Sequence, residues 1–349
     1  MKAKQLAAFL FVFLLIAILL AACGGAATDV APAAEEPVIE EPALEEPAAE
    51  EPAAEEPMEE EMAEPEAVVY GADSRLEPYD HPDLVLQEYA ASVAVLVDFQ
   101  NISTEGELVS IAGPTLDDLV FSNYNLPLCT QEAYSSQPTA GQCTGFLVGE
   151  DLLVTAGHCL ELIPCEAMSV VFGYEMAPDG ELAPVERDNV YGCQEVVAQQ
   201  NTPEEDYAIL RLDRPAQQTP LPVASQAVNL GDPVAVIGHP SGLPIKIASD
   251  ANVIQTTGVT QSESGELLSV DSLFVTNLDT FGGNSGSPVI NTDTYEVVGI
   301  LVGGDEDYVQ SSEELCVEVN RCDLSGVGCT GESVTKMSYL VAFIFGVEP

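Results

Sequence analysis

The sequence predicts an all-β domain of the barrel or sandwich class, built from the residues that follow position 66. Three observations lead there. Short apolar runs with β-branched residues recur along that stretch, each the length of a strand. Gly, Pro, Asn and Asp punctuate them. Long stretches with helical periodicity are absent. In chain order the runs are Val93–Val97, Gly145–Val148, Leu152–Thr155, Val170–Phe172, Tyr207–Leu212, Val234–Ile237, Leu273–Thr276, Val289–Ile290 and Val297–Val302. The length suffices for one large domain or two packed barrels.

Ahead of the domain, residues 1–22 read as a lipoprotein signal peptide. Lys2 and Lys4 form a short basic region, Leu6 to Leu20 is apolar, and Leu20-Ala21-Ala22-Cys23 matches a bacterial lipobox. Cleavage before Cys23 and acylation of its thiol would anchor the protein on the extracytoplasmic face of a bacterial envelope. A retained membrane helix is the alternative; about 17 apolar residues is short for spanning, and the small residues before Cys23 favour cleavage. Residues 23–66 form the linker to a domain spanning residues 67–349. Positions 29–66 hold 16 acidic residues and neither Lys nor Arg, in a Glu-Glu-Pro-Ala theme. Mutual repulsion and proline keep such a segment extended, so it reads as a spacer rather than a docking tail.

Acidity continues beyond the linker. The whole chain has a formal net charge of −49, and residues 67–349 carry 42 Asp and Glu against 7 Lys and Arg. Nucleic-acid binding is excluded on this ground, because phosphates would be repelled. Cationic peptides and proteins would be attracted. Nine cysteines less Cys23 leave eight, which in an exported chain allows up to four disulfides. Cys165 with Cys193 is one candidate pair. Cys129, Cys316, Cys322 and Cys329 stay unassigned. A zinc site on the last three is disfavoured by wide spacing and the lack of a nearby histidine.

Phe281-Gly282-Gly283-Asn284-Ser285-Gly286-Ser287-Pro288-Val289 carries the chemistry. Gly282 and Gly283 permit dihedrals that a Cβ would forbid. The amides of Gly283 and Ser285 could then converge on an oxyanion while Ser285 attacks. Upstream, Leu153-Val154-Thr155-Ala156-Gly157-His158-Cys159 is an apolar strand running into a turn that ends on histidine. Asp206 opens the strand Asp206-Tyr207-Ala208-Ile209-Leu210-Arg211-Leu212, 48 residues after His158 and 79 before Ser285. His158 would take the serine proton, and Asp206 would hold the imidazole in the useful tautomer. The other two histidines fit less well. His81 lies in a polar segment and reads as a solvated loop residue, and His239 reads as a structural hydrogen-bonding residue. An α/β-hydrolase elbow is rejected, because Ser287 stands where Gly-x-Ser-x-Gly needs glycine and no histidine follows Ser285.

These three motifs, in this order, resemble the chymotrypsin-like (trypsin-like) serine peptidases from about Val68 to the C-terminus. Gly-Asn-Ser-Gly-Ser-Pro, and Val69-Tyr70-Gly71-Ala72-Asp73-Ser74-Arg75 near the domain start, are most similar to the bacterial V8-like, or glutamyl endopeptidase-like, branch. The resemblance implies two six-stranded antiparallel Greek-key barrels with the active site in the cleft between them. His158 and Asp206 would belong to the first barrel and Ser285 to the second. It further implies a Cys143–Cys159 disulfide beside the histidine and a short closing helix within Val334–Phe345. The triad mechanism calls for no metal and no cofactor.

Specificity is less determined. The resemblance makes Leu301-Val302-Gly303-Gly304 the edge that receives an extended peptide, with Leu301, Gly303 and Gly304 at the side-chain pocket. Glutamyl-specific members carry histidine where Leu301 stands and threonine where Thr280 stands, so only half of that signature is present. Asp279 occupies the position of the pocket acid of trypsin-like members and would favour Arg or Lys before the cut. A turn-capping or solvent-facing role for Asp279 is the other reading, since Phe281 stands in place of the cysteine that fixes this wall. Asn284 replaces the aspartate that binds a freed N-terminus in trypsin zymogens, so local hydrogen bonds are expected to set the oxyanion loop. Asp305-Glu306-Asp307 reads as a solvated acidic loop in preference to a calcium ligand set. The expectation is a monomeric endopeptidase acting on peptides or proteins and held to the membrane by its lipid. A non-catalytic peptide-binding homologue is the alternative. Too little chain follows Ser285 for a chaperone-protease with an added peptide-binding domain.

Overall fold

The computed structural model describes residues 69–103, 106–261, 267–322 and 329–345. The expected signal peptide, Cys23 and the acidic linker lie outside the described residues. Among the described residues, no helix is long and apolar enough to cross a membrane.

Strand β1 (Val93–Asp98) shows how the fold is laid down. Its five apolar residues are all buried, yet they serve different cores. Ala94 and Leu96 point into a cluster with Phe172, Tyr191 and Leu210. Val95 and Val97 pack on the opposite side with Tyr174 and Val185. Such alternation is the two-residue period of a strand covered on both faces.

Five further strands close a barrel with β1: β2 (Cys143–Leu147), β3 (Leu152–Thr155), β4 (Met168–Phe172), β5 (Val190–Asn201) and β6 (Asp206–Leu212). Around the ring the order is β1-β4-β5-β6-β3-β2, with every pairing antiparallel. The second barrel contains β7 (Pro233–Gly238), β8 (Lys246–Gln255), β9 (Leu273–Thr276), β10 (Pro288–Asn291), β11 (Glu296–Gly303) and β12 (Glu332–Lys336). Its order is β7-β10-β11-β12-β9-β8, and pairing of β7 with β8 closes it. The two rings follow one permutation, that of a Greek key closed on itself. All-β architecture with two six-stranded barrels is therefore what the chain forms.

Val93, Phe146, Val154 and Ile209 from the first barrel join Ala235, Ile237, Ile290 and Ile300 from the second in one apolar cluster. This seam leaves the loops at its rim to meet one another. The interior of the second barrel is filled by Val236, Val253, Phe274, Val289, Val298 and Val334.

Three differences from the sequence reading have physical causes. β12 occupies the start of the expected closing helix; Val334 and Thr335 are β-branched and buried, and the strand pairs with both β9 and β11. The closing helix itself is shorter, Val341–Phe345. His81 is buried rather than solvated, with Nδ1 accepting the Asp83 amide at 3.2 Å and Nε2 3.2 Å from Ser249 Oγ. Asp83 caps helix α1 (Leu84–Ala90) through the amides of Val85 and Leu86, which turns the segment onto β8. Four disulfides form: Cys143–Cys159, Cys165–Cys193, Cys129–Cys316 and Cys322–Cys329.

Candidate active site

His158 sits in the turn after β3, directly before the short helix α2 (Cys159–Leu162). Gly157 makes that turn possible: a Cβ there would lie 1.8 Å from the carbonyl oxygen of Gln200. Gln199 donates its side-chain amide to the Gly157 carbonyl at 2.9 Å, so β5 holds the turn from outside. Asp206 opens β6 opposite Asn201. Its Oδ1 accepts the His158 backbone amide at 3.0 Å, and its Oδ2 lies 2.6 Å from His158 Nδ1. Both side chains are partly exposed, 27% for His158 and 15% for Asp206.

Ser285 arrives from the second barrel on the loop before β10. Thr144 of β2 anchors that loop twice. Its amide donates to the Ser285 carbonyl at 2.9 Å, and its hydroxyl donates to the Gly283 carbonyl at 2.8 Å. Gly283 has φ +92°, and a Cβ there would meet the His239 carbonyl oxygen at 2.6 Å and the Gly242 nitrogen at 2.8 Å. Gly286 has φ +90° and would meet Thr144 O at 2.1 Å. Only glycine fits either place. Asn284 is buried, with its amide donating to the Phe281 carbonyl at 2.9 Å and its carbonyl accepting Ser287 N at 2.8 Å. Among the described residues, Ser285 Oγ and His158 Nε2 make no hydrogen bond, and the amides of Gly283 and Ser285 donate none.

Cys159 Sγ lies 3.7 Å from the Ser285 carbonyl oxygen, which places the disulfide beside both elements. Cys143, His158 and Cys159 have donor atoms within 4.8 Å of one another, the spacing of a metal site. The two sulfurs are bonded to each other, however, and a disulfide does not supply thiolate ligands.

His239 has the structural surroundings its segment indicates. It is buried, its Nδ1 lies 2.9 Å from the Leu243 carbonyl, and burial lowers its pKa to about 3. Lys246 is also buried, between Glu77, Gln137 and the Pro244 carbonyl, and burial lowers its pKa to about 8.

The candidate pocket residues divide. Asp279 is buried, and both oxygens are engaged: Oδ1 accepts Tyr70 N at 2.8 Å, and Oδ2 accepts Ser74 N at 2.7 Å and Ser74 Oγ at 2.6 Å. These bonds tie it to Tyr70 and Ser74 near the start of the domain. Thr280 is buried and donates to Glu332 Oε2. Leu301 is buried, its carbonyl accepting Gly286 N at 2.7 Å and its amide donating to Ser287 O at 3.0 Å. Gly303 and Gly304 are exposed, and a Cβ on Gly303 would touch nothing within 4 Å.

The acidic loop is less solvated than its composition indicates. Asp305 accepts the Thr330 amide at 2.9 Å, and Asp307 accepts the Gly282 amide at 2.8 Å. Burial pushes the Asp307 carboxyl up to about 6. Sequence reasoning missed Glu332, Thr144 and Arg75. Arg75 is buried, pairs with Asp73 at 2.7 Å and lies 3.9 Å over the Phe281 ring, so an aromatic–cation stack forms this wall.

No curated protein matches the chain. Among solved structures it is similar to the active form of the Rv3671c protease from M. tuberculosis, with 17% identity over 86% of this chain and 96% of that one, at a TM-score of 0.41. A Glu endopeptidase bound to MPD matches with 15% identity over 79% of this chain and 97% of that one, TM-score 0.44. The VesB protease of Vibrio cholerae matches with 14% identity over 79% and 66%, TM-score 0.43. Residues 143–300, the span that holds His158, Asp206 and Ser285, match the family described as the trypsin-like peptidase domain.

Proposed function

We propose that this chain is a serine endopeptidase using Ser285 as nucleophile, His158 as general base and acid, and Asp206 as the residue that orients His158. The observation that carries the reading is the two-point contact of Asp206 with His158, made beside a glycine loop with free amides. With Nδ1–H held by the carboxylate, Nε2 is the basic nitrogen. Ser285 Oγ attacks the peptide carbonyl carbon while Nε2 takes its proton. The carbonyl oxygen becomes an oxyanion facing the amides of Gly283 and Ser285. Collapse of that adduct breaks the C–N bond, and His158 returns the proton to the leaving amine. Water then attacks the ester carbon while giving a proton to His158; the bond to Ser285 Oγ breaks, His158 returns that proton to Oγ, and the acid product leaves.

The same proposal covers the surroundings. Asp279, Thr280, Leu301, Gly303 and Gly304 are assigned to the side-chain pocket, with the exposed end of β11 pairing with the substrate backbone. Local bonds of Asn284 and Thr144 support an oxyanion loop that forms without prior cleavage of the chain. Cys23 would carry the lipid and residues 23–66 the spacing, giving a monomer tethered outside a bacterial membrane. The test is digestion of an unfolded cationic protein by wild type and by Ser285→Ala. The expected result is cleavage by the first alone. Binding without cleavage by a folded wild type would support the peptide-binding alternative instead.

A further inference from the structure

Against the residues assigned to the side-chain pocket lies a carboxylate that the sequence motifs do not point to. Glu332 begins β12 and is only 1% exposed. Its Oε2 accepts the Thr280 hydroxyl, while Oε1 is buried without a hydrogen-bond partner. An unpaired carboxylate oxygen in that setting is costly unless something else meets it. Gly304 lies directly against it: a Cβ there would be 2.0 Å from Oε2 and 2.7 Å from Oε1. Gly304 itself is exposed, and Gly303 beside it opens onto free space.

Register connects this carboxylate to the reacting serine. Leu301 bonds to Gly286 and Ser287, and β11 pairs Leu301 with Val334 and Gly303 with Ser333. Glu332 is the next residue along β12. From Leu301 to Gly303 the strand advances roughly 7 Å, about the reach of a lysine or arginine side chain. Of the other nearby acids, Asp279 has both oxygens engaged by Tyr70 and Ser74, Asp305 has both engaged by Thr330, and Asp307 accepts the Gly282 amide through Oδ2. The buried guanidinium of Arg75 is engaged with Asp73.

Resting on the peptidase reading, we infer that Glu332 is the specificity-determining residue, its free oxygen receiving the ammonium or guanidinium of a Lys or Arg that precedes the cut. Asp279 contributes negative potential from behind and makes no direct contact. Burial and these like charges also push Glu332 toward its neutral form, so an arriving cation supplies the countercharge that the empty pocket lacks.

Two measurements test this. In a peptide panel varying only the residue before the cut, wild type should prefer Lys and Arg over Leu by on the order of 100-fold in kcat/KM. Glu332→Gln should erase that preference, bringing the Lys-to-Leu and Arg-to-Leu ratios of kcat/KM down to about one. Equal use of Lys, Arg and Leu by wild type, or an unchanged preference in the variant, would overturn the inference. The second uses wild type and needs no turnover: the fluorescent cation p-aminobenzamidine should bind, and uncharged p-aminobenzamide should not. Equal binding of the two, or of neither, would overturn the inference even if the variant misfolds. Cation-selective binding by a protein that cleaves nothing and reacts with no serine-directed probe would uphold the pocket and refute the peptidase reading.

Discussion

Asp206 grips His158 at two points, accepting its backbone amide on one carboxylate oxygen and facing its Nδ1 at 2.6 Å with the other. One residue thereby fixes both the turn and the ring carried on it. The Asp206 carbonyl in turn accepts the Thr335 hydroxyl of β12 at 2.8 Å, joining this pair to the second barrel.

Replacing Asp206 with Asn puts an amide where the carboxylate was, which favours the wrong imidazole tautomer. Steady-state kinetics should show kcat reduced by about 10³–10⁴-fold, with the thermal midpoint changed little.

Gly283→Ala should leave the barrels intact and displace the oxyanion loop. The new methyl would overlap the His239 carbonyl and the Gly242 nitrogen at a residue whose φ is +92°. A fall in kcat of roughly 10²–10³-fold is expected, with KM affected less.

Removing the Cys143–Cys159 bond by a double serine substitution should destabilise the domain. The bond closes a loop of sequence separation 16, for which chain entropy predicts about 3 kcal/mol. Urea unfolding of the two proteins measures the difference.

Acid sensitivity should trace in part to His239. Its pKa is about 3 when folded, against an ordinary value near 6.5, because burial disfavours the imidazolium. Between those values the unfolded chain binds a proton that the native state refuses. Its neutral-pH stability is thus complete above about 6.5 and is lost as pH falls toward 3, by about 1.4 kcal/mol per unit. Asp307, raised to about 6, has the opposite sign, since its native state keeps the proton longer. Subtracting the profile of His239→Gln from that of wild type cancels Asp307 and should leave the His239 slope.

Cys23→Ala should release the protein from the membrane fraction and abolish incorporation of labelled fatty acid. Retention in detergent extracts with label unchanged would contradict the lipid anchor.

Strands with continuous apolar residues, such as β1 and β11, were legible because burial on both faces leaves a plain mark in the sequence. β5 was not legible: it is long, polar and mostly exposed. β8 contains Asp-Ala-Asn with Asp250 at φ 66°, which reads as a turn but is an irregularity within the strand. β12 hid behind its terminal charges, Glu332 and Lys336. His158, Asp206 and Ser285 were legible because each sits in a short motif. Glu332 was not, because its role comes from Gly304 and Thr280, which are distant in sequence and adjacent only across strand pairs. Asp279, in the expected position, proved to be bonded to Tyr70 and Ser74.

The most direct test of the central claim is reaction with a fluorophosphonate, which labels only a serine activated by its own base and oxyanion hole. Peptide mass spectrometry should place the adduct on Ser285 in wild type, and Ser285→Ala should carry none. A folded wild type that remains unlabelled, or one labelled at another residue, would contradict the account.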